Sequence, residues 1–238
     1  MLPDLSSYPV SASPTQLVLV LGDDWDSSAA TLRCFDLASP GQAWQPGPGP
    51  FRAVLGRAGM AVGSGFPDAG PGEVPRKREG DGRSPAGVFP ITGLFGYGAA
   101  DEGVAPVARL PFLAATPNLK CVDDPASRHY NRIVDRRRVD EDWRSCEDML
   151  RGDCRYEIGA VVGYNCEPVV PGAGSCIFLH VWEAPGVPTA GCTALARDDM
   201  LALATWLDGA RAPVLVQLPR AVCEALREPW RLPGLTEN

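Results

Sequence analysis

The chain is broken more often than it is allowed to run: 26 glycines and 24 prolines make 50 of its 238 residues. Average usage of these two residues is about 12%, so roughly one position in five here ends a helix or sets a turn, nearly twice the ordinary rate. Long helices are excluded and short strands joined by turns are favoured. The apolar run Gln16–Leu21, ending at Gly22, reads as a strand, and Thr31–Leu37 as its neighbour. A Gly/Pro loop follows at 39–50, then an extended candidate at 51–63, a turn-rich segment at 64–87 and a short strand at 88–91. Tyr156–Tyr164 and Ser175–Trp182 are β-rich runs flanking a hairpin-like loop at 168–174, and 214–218 reads as a closing strand. Two stretches carry helix grammar. Asp140–Leu150 has apolar Trp143, Cys146, Met149 and Leu150 with Gly152 as a stop; Asp198–Leu207 has acids in its first turn, a stripe of Met200, Leu203, Ala204 and Leu207, and Gly209 beyond. The expectation is an extended arm over 1–15 and one mostly-β domain over 16–238 with two or three short helices.

With 22 basic and 29 acidic residues the formal charge is −7. That field repels nucleic acid, and no basic stripe offsets it; Arg136-Arg137-Arg138 is flanked by Asp135 and Asp140 and reads as a solvated face. No run of 18 apolar residues is long enough to span a bilayer. The first residues lack a basic, then apolar, leader pattern. Eight cysteines, at 34, 121, 146, 154, 166, 176, 192 and 223, are many for a reducing compartment and point to an oxidising one. No CxxC pair occurs, which argues against a zinc or thioredoxin-type motif. The spacings 146/154 and 166/176 suit local disulfides.

Only two histidines exist. His129, beside Arg128, reads as a surface residue. His180 ends the apolar run 176–179, and Thr189-Ala190-Gly191-Cys192 follows, the cysteine twelve positions on. A free thiol has a pKa near 8.5, so a nucleophilic cysteine needs a base or a cation beside it, and a histidine at a neighbouring strand end supplies one. Gly191 permits a tight turn and leaves room for a substrate carbonyl facing main-chain N–H groups. Spacing alone equally fits a buried structural cysteine and a satisfied core histidine.

The segment Gly174-Ser175-Cys176-Ile177-Phe178-Leu179-His180 followed by Thr189-Ala190-Gly191-Cys192 resembles the active-site signature of YkuD-type L,D-transpeptidases. Lys77-Arg78-Glu79-Gly80-Asp81-Gly82-Arg83-Ser84-Pro85-Ala86-Gly87-Val88-Phe89 is similar to the family's Thr/Ser-Pro-x-Gly-x-Phe segment. Asp123-Asp124 with Tyr130-Asn131 is a third match, and together the three cover about 75–207. The resemblance implies a β-sandwich-like catalytic domain working on peptidoglycan in the periplasm or outside the cell, with no metal and no organic cofactor. It implies Cys192 as nucleophile, His180 as general base, Gly191 as the shaper of the oxyanion pocket, and the Val181 carbonyl, or else Glu183, as the group that orients the base. Its partners would be a stem peptide and an amine acceptor. The chain departs from the family at Ala190, where a second histidine is common, and at Ala194, where arginine or asparagine is common; Arg197 is a candidate replacement.

The same comparison makes Lys77, Asp81 and Arg83 a wall of the substrate groove, with Lys77 or Arg83 meeting a carboxylate, and makes Tyr130 and Asn131 cleft-lining residues. Each has a plainer reading, as a charged loop or an edge aromatic. Trp182, two positions beyond His180, should share its face, as core or as a shield for the thiolate. Two rival functions remain at this level: hydrolysis of the same thioester, as a carboxypeptidase or endopeptidase, and a peptidoglycan-binding protein whose catalytic groups have decayed. A Cys-His hydrolase of unrelated origin is a weaker third.

Overall fold

The computed structural model describes residues 14–39, 42–63, 66, 74–98 and 103–234. The arm expected at 1–15 lies outside them apart from its last two residues, as does much of the turn-rich segment after 63. Among the described residues fourteen strands run in chain order: β1 (Gln16–Gly22), β2 (Ala29–Asp36), β3 (Gln45–Pro46), β4 (Phe51–Val54), β5 (Met60–Val62), β6 (Ser84–Gly96), β7 (Phe112–Ala114), β8 (Leu119–Val122), β9 (Ile133–Asp135), β10 (Cys146–Asp148), β11 (Ile158–Val162), β12 (Phe178–Val181), β13 (Thr193–Leu195) and β14 (Val214–Pro219). Helix α1 (Arg197–Trp206) precedes β14 and α2 (Arg220–Leu226) follows it. The mostly-β reading with two short helices holds. No helix among the described residues is long and apolar enough to cross a membrane.

The main sheet closes on itself. Its order is β1-β14-β6-β11-β12-β13-β4-β2, and β2 pairs back to β1, so the expected layers belong to one ring of eight strands. β14 joins parallel to β1, Leu17 against Val214, across almost the whole chain. Inside lies the main core, with Val18, Val20, Leu32, Phe89, Leu94, Leu179 and Leu195 from the ring and Met200, Leu203 and Ala204 from α1, all buried. A second cluster covers the other face of β1 and β14 with Cys223 and Leu226 of α2 and with Trp230. β8, β9 and β10 form a separate small sheet. It meets the ring through a third cluster of Phe95, Tyr156, Phe178, Cys121, Cys176 and Cys192.

Two expectations fail. The segment 140–150 is not a helix: Cys146–Asp148 pairs antiparallel with Lys120–Val122. Its polar groups are engaged elsewhere, Asp142 with the Ser127 hydroxyl and the Arg128 N–H, and the Arg144 N–H with Asp124. Those tertiary bonds override a helical spacing of apolar residues. The local disulfides are also absent. Cys121 bonds Cys176 instead, while Cys146, Cys154 and Cys166 are free thiols. The short strand at 88–91 proves to be the middle of β6, whose thirteen residues pair with β14 on one side and β11 on the other.

Candidate active site

Cys192 sits one residue before β13, at the end of a turn built by its own neighbours. The Thr189 hydroxyl donates to the Cys192 carbonyl at 2.6 Å and accepts the Gly191 N–H at 3.0 Å. The Ser84 hydroxyl, at the start of β6, donates to the same carbonyl at 2.9 Å and accepts the Gly56 N–H. The turn therefore rests directly on the 76–84 segment. Contact there is close: a Cβ on Gly56 would stand 2.3 Å from the Gly82 carbonyl oxygen, so only glycine fits. Because the Gly191 N–H is committed to Thr189, it does not face an open pocket. The Cys192 N–H has no partner among the described residues.

Cys192 is buried, with 8% of the residue exposed. Its Sγ lies 3.4 Å from the Cys176 carbonyl oxygen, to which it donates, and receives the Phe178 N–H at 3.3 Å. Burial pushes its pKa well up, and the charge of Glu147 adds to that; the Phe178 N–H and the charges of Lys77 and Arg151 pull the other way. The disulfide at Cys176, where the backbone turns left-handed at φ 54°, anchors the carbonyl that holds the thiol.

His180 lies on β12, and its register partner across the parallel β12–β13 pair is Ala194, two residues after Cys192. His180 and Cys192 open on one cavity of about 210 Å³. The imidazole Nδ1 stands 2.7 Å from the Val181 carbonyl oxygen. A carbonyl can only accept, so Nδ1 carries the proton and Nε2 presents a lone pair. Burial lowers the His180 pKa to about 4; the Val181 carbonyl opposes this, and the charges of Arg151 and Arg155 reinforce it. His180 and Cys192 therefore both rest neutral at pH 7. The histidine ring meets Tyr156 edge-on at 5.4 Å, and the Tyr156 hydroxyl donates a short hydrogen bond to Glu147. Burial raises the pKa of the Glu147 carboxyl.

The remaining expected site residues serve mainly as braces. Lys77 is buried, donating to Asp81 at 2.7 Å and to the Arg78 carbonyl, and Asp81 in turn accepts the Arg78 and Arg83 N–H groups. The Arg83 guanidinium donates to the carbonyls of Trp25 and Met60 and to Asp26. Tyr130 is 2% exposed and bonds Glu79, which also accepts from Ser175. It is an internal strut, not a wall of the cleft. Asn131 donates to the carbonyls of Tyr164 and Asn165 and accepts the Cys176 N–H at 2.9 Å, so it positions the segment beneath the thiol. Arg197 turns to Glu157 at 2.6 Å and does not line the cavity, and neither does Trp182. Glu183 pairs with Arg155 and leaves the imidazole to Val181. Sequence reasoning missed Glu147, Arg151, Arg155 and Tyr156, which do line it. Glu147 lies on β10, inside the segment whose spacing suggested a helix, and the other three lie between β10 and β11, where no motif marks them.

Searches of curated proteins and of solved structures returned no match. The model of the YkuD L,D-transpeptidase catalytic domain matches residues 49–216, which run from β4 through the first half of β14 and include the Cys192 turn, His180 and the residues lining the cavity they share. By that match, over most of its length, the chain belongs to the YkuD L,D-transpeptidase catalytic domain family.

Proposed function

We propose that this protein is a cysteine acyltransferase acting on peptidoglycan stem peptides in the cell envelope. His180 Nε2 removes the Cys192 thiol proton as Sγ attacks the carbonyl between the L-centre of a diamino acid and the D-residue after it. The oxyanion forms opposite the Cys192 N–H. Collapse breaks the peptide bond; the imidazolium returns its proton to the leaving amine, and the D-residue departs, leaving a thioester on Cys192. An acceptor amine then attacks the thioester, with His180 again as base, and thiol and new amide are released. Because thiol and imidazole both rest neutral, attack and proton transfer are coupled, and the Phe178 N–H together with the charges of Lys77 and Arg151 stabilises the thiolate as it forms.

The observation that carries this reading is the fixed tautomer of His180, whose free Nε2 shares a cavity with the cysteine the family motif marks as nucleophile. The test is intact-mass spectrometry after exposure to a carbapenem, whose strained ring offers an acyl group. One adduct on the wild type and none on Cys192→Ala is the expected result. No adduct on folded, reduced wild type would instead favour a binding protein with decayed chemistry. Product analysis with and without added amine then separates transfer from hydrolysis: amide product is expected, and free acid alone assigns a carboxypeptidase or endopeptidase.

A further inference from the structure

Two cationic side chains line the cavity that Cys192 and His180 share, and they are not equivalent. Arg155 is spent: its Nε and one terminal nitrogen donate to Asp153 at 3.0 and 2.6 Å, and its other terminal nitrogen donates to Glu183 at 3.1 Å. Arg151 is not. Its Nε reaches Asp153 only at 3.4 Å, and its two terminal nitrogens have no hydrogen-bond partner among the described residues. The guanidinium carbon lies 5.1 Å from the Tyr156 ring centroid, so the fork is held in place by a ring that also touches His180. The side chain is 27% exposed, neither sealed away nor free in solvent. Of the acids at the cavity, Glu183 is taken by Arg155 and Glu147 accepts the Tyr156 hydroxyl. Ala194, two residues past the thiol, is buried and brings no charge, and Arg197 is bound to Glu157.

We propose that Arg151 forms an anion subsite in this cavity and holds a carboxylate of the donor peptide through its unpaired fork. The inference rests on the acyltransferase reading for the identity of the peptide. A guanidinium presents two parallel N–H groups that match a carboxylate in one plane, and such a charge-assisted pair contributes more than a neutral hydrogen bond. Two carboxylates of a stem peptide have the right chemistry: the free terminus of the D-residue that leaves, and the side-chain carboxylate of a diamino diacid at the L-centre. A bound carboxylate would also offset the arginine charge that adds to burial in keeping the His180 imidazole neutral, and so strengthen the base when substrate is in place.

The test measures calorimetric binding of three tetrapeptides to Cys192→Ala, which cannot turn them over. One ends in a free D-residue carboxylate after a diamino diacid, one has that terminus amidated, and one has lysine in place of the diamino diacid. The same titrations are run with Arg151→Gln and Arg151→Lys added. The first peptide should bind about ten- to a hundredfold tighter than whichever peptide lacks the recognised carboxylate. Arg151→Gln should erase that difference, and Arg151→Lys, which keeps charge without the fork, should restore part of it. The peptide whose affinity ceases to depend on Arg151 identifies the carboxylate. Equal binding of all three, binding of none, or a preference that survives Arg151→Gln in a folded protein overturns the subsite. If the Arg151-dependent preference is found while wild type neither transfers nor hydrolyses the peptide, the subsite stands and the acyltransferase reading falls.

Discussion

His180 is drawn two ways: burial disfavours the imidazolium, the Val181 carbonyl favours it, and burial prevails. The folded-state pKa of about 4 lies below the unfolded value near 6.5, so the unfolded chain binds the extra proton first on acidification. Stability is unaffected by this group above about pH 6.5, falls as pH drops through the window to about 4, and loses on the order of 3 kcal/mol across it. The thermal midpoint of wild type should therefore fall more steeply over that window than that of His180→Asn. Parallel profiles for the two proteins would remove this account of the buried base. The same substitution should lower acyl transfer by about 10²–10⁴-fold, since it takes away the proton acceptor without emptying the cavity. At this scale His180 and Cys192 stood out in sequence because they lie in one short segment, and the fold opens both on one cavity. Tyr156, Glu147 and Arg151 did not, because their role depends on where the small sheet docks.

Between elements, the bond that matters most is Cys121–Cys176. It joins β8 of the small sheet to the segment entering β12, and 55 residues separate its ends. A loop of that size is worth about 4 kcal/mol in the chain-entropy account. The Cys176 carbonyl and the Phe178 N–H, both of which touch the thiol, hang from that anchor. Replacing both cysteines by alanine should lower the thermal midpoint and slow carbapenem acylation of Cys192 together. If acylation continues at the wild-type rate while the midpoint falls, the disulfide supports the fold but not the thiol's cradle. Local spacing favoured 146/154 and 166/176 because sequence proximity was the only guide. The true pair is brought together by docking of the small sheet, with Asn131 bonding the Cys176 N–H. Helix α1 was readable because its acids, stripe and stop all agree, whereas 140–150 carried the stripe but spent its acids on other loops.

Taken whole, the molecule is a ring whose seam is the parallel β1–β14 pair, sealed on its other face by the C-terminal segment. No local pattern announces that seam, since its partners are nearly 200 residues apart; the apolar runs at either end foretold strands but not their pairing. Trp230 is the largest side chain of the seal, 1% exposed and edge-on to Phe66 at 5.9 Å. Trp230→Ala should cost about 3–5 kcal/mol of unfolding free energy, read as a lower denaturant midpoint, with the chemistry of His180 and Cys192 intact in the folded fraction. A change below about 1 kcal/mol would mean that the second cluster is held by β1 and β14 without it. Closure has one more effect, on how copies of the protein meet. An open sheet ends in rows of unpaired amides that invite a neighbour's strand, but among the described residues every long strand has a partner on both sides. The strands left at a margin, β3, β5, β7, β9 and β10, are two or three residues long. They are too short to template a stranger, so among the described residues no long open edge offers a second copy a strand to pair with.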